Sequence, residues 1–136
     1  MKCPVCNVGM IVVEYEEIEL DHCVKCGGVW FDRDELAYML EGAGLKPEAL
    51  EIKAATRDAE ALKGETKRRC PRCSKVMKKA IVGGTDPVVL DTCARHGGYW
   101  FDKGELGRTV RSGIPEGDWR NVGAFLGRLF GPENAC

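Results

Sequence analysis

Seven of the eight cysteines fall into tight spacings: Cys3 with Cys6, Cys23 with Cys26, Cys70 with Cys73, and Cys93 three residues before His96, while Cys136 stands apart. Two ligands separated by two residues let one tight turn present both to the same ion. Two such turns close a tetrahedral shell of thiolates and imidazoles at about 2.0–2.3 Å from zinc. The spacing therefore groups Cys3, Cys6, Cys23 and Cys26 around one ion and Cys70, Cys73, Cys93 and His96 around another, two Zn(2+) per chain. A tetrahedral sulfur shell also suits iron, which stays open for the four-cysteine site. A thioredoxin-like redox pair or scattered structural cysteines would explain one pair but not the doubling. A catalytic zinc needs a position left for water or substrate, and four protein ligands leave none. A zinc deaminase needs a His-x-Glu beside the metal, whereas His96 is followed by Gly97 and Gly98. The reading is accordingly non-enzymatic, with no catalytic residue and no organic cofactor.

The ligands sit in an internal repeat. Cys3-Pro4-Val5-Cys6 is answered by Cys70-Pro71-Arg72-Cys73, and Gly27-Gly28-Val29-Trp30-Phe31-Asp32-Arg33-Asp34-Glu35-Leu36 by Gly97-Gly98-Tyr99-Trp100-Phe101-Asp102-Lys103-Gly104-Glu105-Leu106. Met10 to Glu14 and Ile18 to Asp21, like Met77 to Val82 and Val88 to Asp91, read as hairpin strands. The Gly83 to Pro87 turn absorbs the three extra residues of the second copy. Asp32 with Glu35, and Asp102 with Glu105, predict helix starts of the capping-box kind. Glycines after the second ligand pair let the backbone turn close to the metal with its amides toward the sulfurs.

The fold class expected is a small metal-stabilised α+β protein in which each copy runs knuckle, hairpin, knuckle, helix. The first ribbon spans residues 1–42 and the second 67–112. Residues 43–66 form a helical connector opened by Pro47, and 113–136 an amphipathic helix capped by Asp118. Zinc should supply the folding energy, about 10–16 kcal/mol per structural site in small zinc domains.

Cys-Pro-x-Cys, a hairpin, and then Asp-x-Cys-x-x-Cys-Gly-Gly-x-Trp-Phe-Asp-x-x-Glu-Leu resembles the transcription-factor-IIB-type zinc-finger family over Lys2 to Glu41, and again over Arg69 to Arg111. The resemblance implies a zinc-ribbon fold and zinc ligation at the eight positions named above. It covers neither the connector nor the tail. The second copy departs from the pattern by carrying His96 in its last ligand position, which lowers the negative charge of that site and weakens it in mild acid.

Charge adds a second axis. The 20 basic and 21 acidic residues almost cancel, yet residues 1–41 hold 3 basic against 9 acidic, net −6, and residues 66–111 hold 11 against 4, net +7. Lys67, Arg68, Arg69, Arg72, Lys75, Lys78 and Lys79 crowd the start of the second copy and form the candidate polyanion contact for nucleic acid. Opposite charge on the two copies favours their attraction within one chain or between chains, which leaves room for a homo-oligomer. Trp119, Val122, Leu126, Leu129 and Phe130 recur at helical spacing and form the candidate docking face for a protein partner.

Trp30-Phe31 and Trp100-Phe101 are read as small-core packing rather than base-stacking platforms, and His22, answered by Thr92, as a surface histidine. The sequence contains no run of 18 apolar residues, which argues against a membrane span. Met1-Lys2-Cys3-Pro4 lacks an apolar leader and predicts a cytoplasmic chain with reduced cysteines, Cys136 being a free thiol. The leading function is a zinc-binding interaction module. The alternatives are a nucleic-acid-binding, transcription-related regulator and a thiol-based metal or redox sensor.

Overall fold

The computed structural model describes residues 1–15, 17–42, 44–46, 48, 50, 52–54, 64–82, 87–113, 117 and 119–130. In the first copy, β1 (Ile11–Tyr15) and β2 (Ile18–His22) form an antiparallel hairpin, followed by β3 (Val29–Phe31) and α1 (Glu35–Gly42). A two-residue strand, β4 (Lys53–Ala54), lies between the copies. The second copy repeats the plan with β5 (Lys78–Val82), β6 (Val88–Thr92), β7 (Tyr99–Phe101) and α2 (Glu105–Ser112), and α3 (Trp119–Phe130) follows.

The sequence reading stopped at hairpins, and the third strand of each copy organises the molecule. β3 and β7 pair antiparallel with Val29 opposite Phe101, Trp30 opposite Trp100 and Phe31 opposite Tyr99. Among the described residues this fuses both ribbons into one seven-stranded sheet of order β1-β2-β3-β7-β6-β5-β4. A strand covered on both faces has no polar side, and Val29-Trp30-Phe31 is apolar and buried at all three positions.

Strand alternation then sends side chains to two cores. On the helix side, Val29, Phe31 and Phe101 join Leu20, Leu90, Leu36, Met39, Leu40, Leu106 and Val110. Phe31 and Phe101 meet edge to face there, with ring centroids 5.4 Å apart. On the knuckle side, Trp30 and Trp100, both 0 % exposed, pack with the cysteines and Met77.

The helix starts are half as expected. Glu35 Oε2 accepts from the Asp32 N–H at 2.8 Å and Glu105 Oε2 from the Asp102 N–H at 2.9 Å, the reach-back of a capping box. The aspartate side chains turn elsewhere: Asp32 Oδ1 accepts from Trp30 Nε1 at 2.9 Å and Asp102 Oδ1 from Trp100 Nε1 at 3.0 Å. A buried indole N–H needs an acceptor, whereas the helix-start amides have solvent as an alternative.

The helical reading of the connector fails at Lys53 and Ala54, which pair with Ile81 and Ala80 as an edge strand. The exposed rim of β5 offers unpaired backbone groups, and that demand overrides local helix propensity. The stretch 55–63 and the turn residues 83–86 lie outside the described residues, as do Pro47, Asp118 and Cys136. No helix among the described residues is long and apolar enough to cross a membrane.

Candidate metal centres

Each ligand pair is held by a backbone turn that the repeat reproduces. In the first knuckles Asn7 N–H donates to Cys3 O at 2.9 Å and Ser74 N–H to Cys70 O at 2.8 Å. In the second, Gly27 N–H donates to Cys23 O at 2.8 Å and Gly97 N–H to Cys93 O at 2.7 Å. All four closing residues have positive φ: 58° at Asn7, 63° at Ser74, 80° at Gly27 and 72° at Gly97. Asparagine tolerates this region and glycine adopts it without steric cost.

The turns bring the sulfurs of Cys3, Cys6, Cys23 and Cys26 within 4.8 Å of one another, and likewise those of Cys70, Cys73 and Cys93. A tetrahedral zinc–thiolate shell at about 2.3 Å requires sulfurs about 3.8 Å apart. Cys3 Sγ and Cys26 Sγ are 3.6 Å apart, and Cys73 Sγ and Cys93 Sγ 3.7 Å. These spacings are far too long for disulfide bonds. Backbone amides face the sulfurs: Val5 and Cys6 N–H reach Cys3 Sγ at 3.3 Å each, Arg72 N–H reaches Cys70 Sγ at 3.3 Å, and His96 N–H reaches Cys93 Sγ at 3.4 Å. His96 is half-buried in the same turn as Cys93, but its ring is not among the atoms gathered within 4.8 Å.

Protonation follows the same logic in both copies. Burial raises the Cys23 thiol, but the Cys26 and Lys25 amides and the neighbouring thiols outweigh it and bring Cys23 down to about 7. Cys93, its repeat counterpart, is lowered in the same way, burial being outweighed by the His96 amide and the Cys70 thiol. Burial pushes Cys3 and Cys26 up, and Cys70 to about 11. Cys23 and Cys93 each form a thiolate readily while Cys3, Cys26 and Cys70 resist adding like charge beside it, a conflict that a bound dication removes. The donor set and spacing thus fit two zinc ions per chain.

Around the metal turns, the two copies hold one another. The Arg72 guanidinium, beside the first pair of the second copy, forms a two-pronged ion pair with the Asp32 carboxylate of the first. Burial acts against the Asp32 charge, yet Arg72 and the Trp30 indole hold this carboxyl below its usual range. A Cβ added at Gly28 would lie closer than 3.0 Å to ring carbons of Trp100, and one at Gly98 equally close to Trp30. Sequence reasoning assigned both glycines of each pair to the metal turn. Only the first of each needs positive φ, and an adjacent glycine without that need signals close approach by another group.

The seven cations proposed for polyanion contact separate. Lys67, Arg69, Lys75 and Lys78 are exposed and Arg68 is half-buried. Arg72 is occupied by Asp32, and Lys79 by Asp91, by Glu65 at 3.7 Å and by Thr66 O at 2.7 Å. Of the candidate docking face, Leu126 is 1 % exposed within the helix-side core and is not available to a partner. An amphipathic helix buries its apolar stripe on the nearest apolar surface, here beside α2, which α3 contacts. The side chains of Trp119, Val122, Leu129 and Phe130 lie outside the described ones. His22 is half-buried at the end of β2, opposite Ile11 and Val29.

A family model described as transcription factor zinc-finger matches residues 2–42 and again 69–112, one match on each copy. No curated protein and no solved structure matches the chain.

Proposed function

We propose an interaction role from one premise: the chain belongs to the transcription factor zinc-finger family. In this reading two structural zinc ions fix residues 1–42 and 67–112 as a single rigid scaffold that binds another molecule and carries out no chemistry of its own. Cys3, Cys6, Cys23 and Cys26 hold one ion. Cys70, Cys73 and Cys93 hold the other, and His96 completes its shell, supported by its backbone N–H already sitting in the Cys93 turn and by its answering Cys26 in the repeat. The observation that carries the reading is the continuous β3–β7 pairing, which turns two small ribbons into one surface with both metal turns on the same face.

A nucleic-acid ligand is favoured by one specific feature, the exposed Lys67, Arg69, Lys75 and Lys78 on the second ribbon. Capture by the zinc-loaded chain from native extract, with and without nuclease, separates the cases. Nuclease-sensitive capture supports a nucleic-acid ligand, nuclease-resistant capture a protein one, and absence of both removes the interaction role.

A further inference from the structure

Fusing the sheets at β3 and β7 sets the first knuckles of the two copies side by side and leaves a cleft of about 420 Å³ between them. The cleft is lined by the same positions from each copy: Lys2 answers Arg69, Pro4 answers Pro71, and Asn7 answers Ser74. Lys67 adds a third cation from just before the first knuckle of the second copy. No carboxylate lines it among the described residues. Residues 1–41 hold only three basic residues, so a lysine at the cleft position is notable in a copy otherwise rich in acids. Lys2 and Lys67 are both exposed, and Arg69 is held in place by a hydrogen bond from Nη1 to Ser74 O at 2.9 Å.

We propose that this cleft binds a phosphate group, with Lys2, Lys67 and Arg69 supplying the charge and the Asn7 amide and Ser74 hydroxyl further donors. The proposal rests on the polyanion reading above and narrows it from a charged surface on one ribbon to a site made by both. Three cations and two neutral donors lining one concave surface suit a tetrahedral oxyanion better than an extended basic strip does. Cys3 and Cys70 also line it but are each only 2 % exposed. Offsetting thiolate charge is the competing role for these cations, and it makes a different prediction: their loss would weaken zinc retention without any phosphate effect.

The test titrates the zinc-loaded full chain with inorganic phosphate, and separately with a short single-stranded oligothymidylate, while following backbone amide NMR shifts. The expected result is shifts confined to residues 2–9 and 67–76, lost in Lys2→Glu/Lys67→Glu and kept in Lys103→Glu, a charge reversal at an exposed lysine outside the cleft and the basic strip. The oligonucleotide affinity should fall at least tenfold in the cleft variant, with a salt dependence shallower by about one to two contacts' worth. Both cleft lysines are exposed, and Arg69 is left intact because it braces the knuckle. Zinc content is measured for each variant, and Lys2→Gln/Lys67→Gln replaces the charge reversal if zinc is lost. Equal affinity for phosphate and oligonucleotide identifies a free anion as the source; much tighter oligonucleotide binding identifies a nucleic-acid backbone. No shift with either probe overturns the cleft and the polyanion reading together. Binding lost in Lys75→Glu/Lys78→Glu but kept in the cleft variant overturns the cleft alone.

Discussion

Trp30 and Trp100 stand directly opposite one another across β3 and β7, and each indole fills the space beside the second glycine of the other copy's metal turn. The two metal turns are thereby packed through each other's tryptophan. Both indoles are 0 % exposed, so neither copy can lose its partner without opening a cavity or wetting a large aromatic surface.

The packing predicts that Gly28→Ala and Gly98→Ala each destabilise the zinc-loaded protein by about 1–3 kcal/mol, the cost of overfilling a core. Gly9→Ala is the control, since a Cβ there meets nothing within 4 Å. Chemical denaturation of the three variants makes the comparison. If Gly28→Ala unfolds at the same midpoint as Gly9→Ala, the reciprocal packing is wrong.

Metal analysis should find about two zinc ions per chain, with chelation unfolding the shared sheet rather than one half. Cys23→Ser should therefore lower zinc retention at both sites, a coupling that independent ribbons would lack. His96→Ala should weaken the second site by at least tenfold, and His96→Cys should restore it. Retention unchanged in His96→Ala would remove His96 from the shell.

Arg72 and Asp32 should couple by about 0.2–1 kcal/mol in a double-mutant cycle, a modest value because the pair faces solvent. The side chains are 43 % and 22 % exposed, so added salt should shrink the coupling further. Asp32→Ala alone should cost more than Arg72→Ala, because it also strips the Trp30 indole N–H of its acceptor. Equal single-variant costs would contradict that second role.

Burial, reinforced by Asp102, Glu65 and Asp91 against the opposing Asp102 amide bond, raises Glu105 from 4.5 to about 7. A carboxyl whose folded value is raised holds a proton in the native state that the unfolded chain has already released. Its contribution is fully present below about 4.5 and is lost as pH rises through about 7. Glu105→Gln keeps an acceptor for the Asp102 N–H and removes the charge. The variant should gain on wild type between pH 5 and pH 8 by at most about 3 kcal/mol, trimmed by the favourable dipole at the start of α2. Thermal midpoints of both proteins at matched pH cancel the zinc contribution, and a flat difference across that range would refute the shift.

What could be read from the sequence was local. Ligand spacing, the repeat and the paired hairpins follow from turn geometry within a few residues, and Met10 to Glu14 and Val88 to Asp91 fall within a residue of β1 and β6. The β3–β7 pairing was not legible, because Val29-Trp30-Phe31 is too short for its period to separate strand from core loop. Which partner a buried strand takes is a tertiary fact. The one available clue was Gly28 and Gly98, glycines with no turn to make. Edge pairing of Lys53 and Ala54 does not register in helix propensity, and the place of Lys2 beside the second copy does not register in the net charge of an acidic stretch.

The β3–β7 register is that of a two-fold contact. Val29 faces Phe101 as Phe31 faces Tyr99, and Trp30 meets its own counterpart, so the contact is the isologous one by which two identical single ribbons would form a two-fold dimer. Halves joined in one chain are under no requirement of self-complementarity. Arg72 could then reach Asp32 in one direction while Val5 stands in the equivalent place in the other, and the halves could drift to opposite charge. What a symmetric dimer must do twice, this duplicated chain does once, leaving its second surface free to become something else.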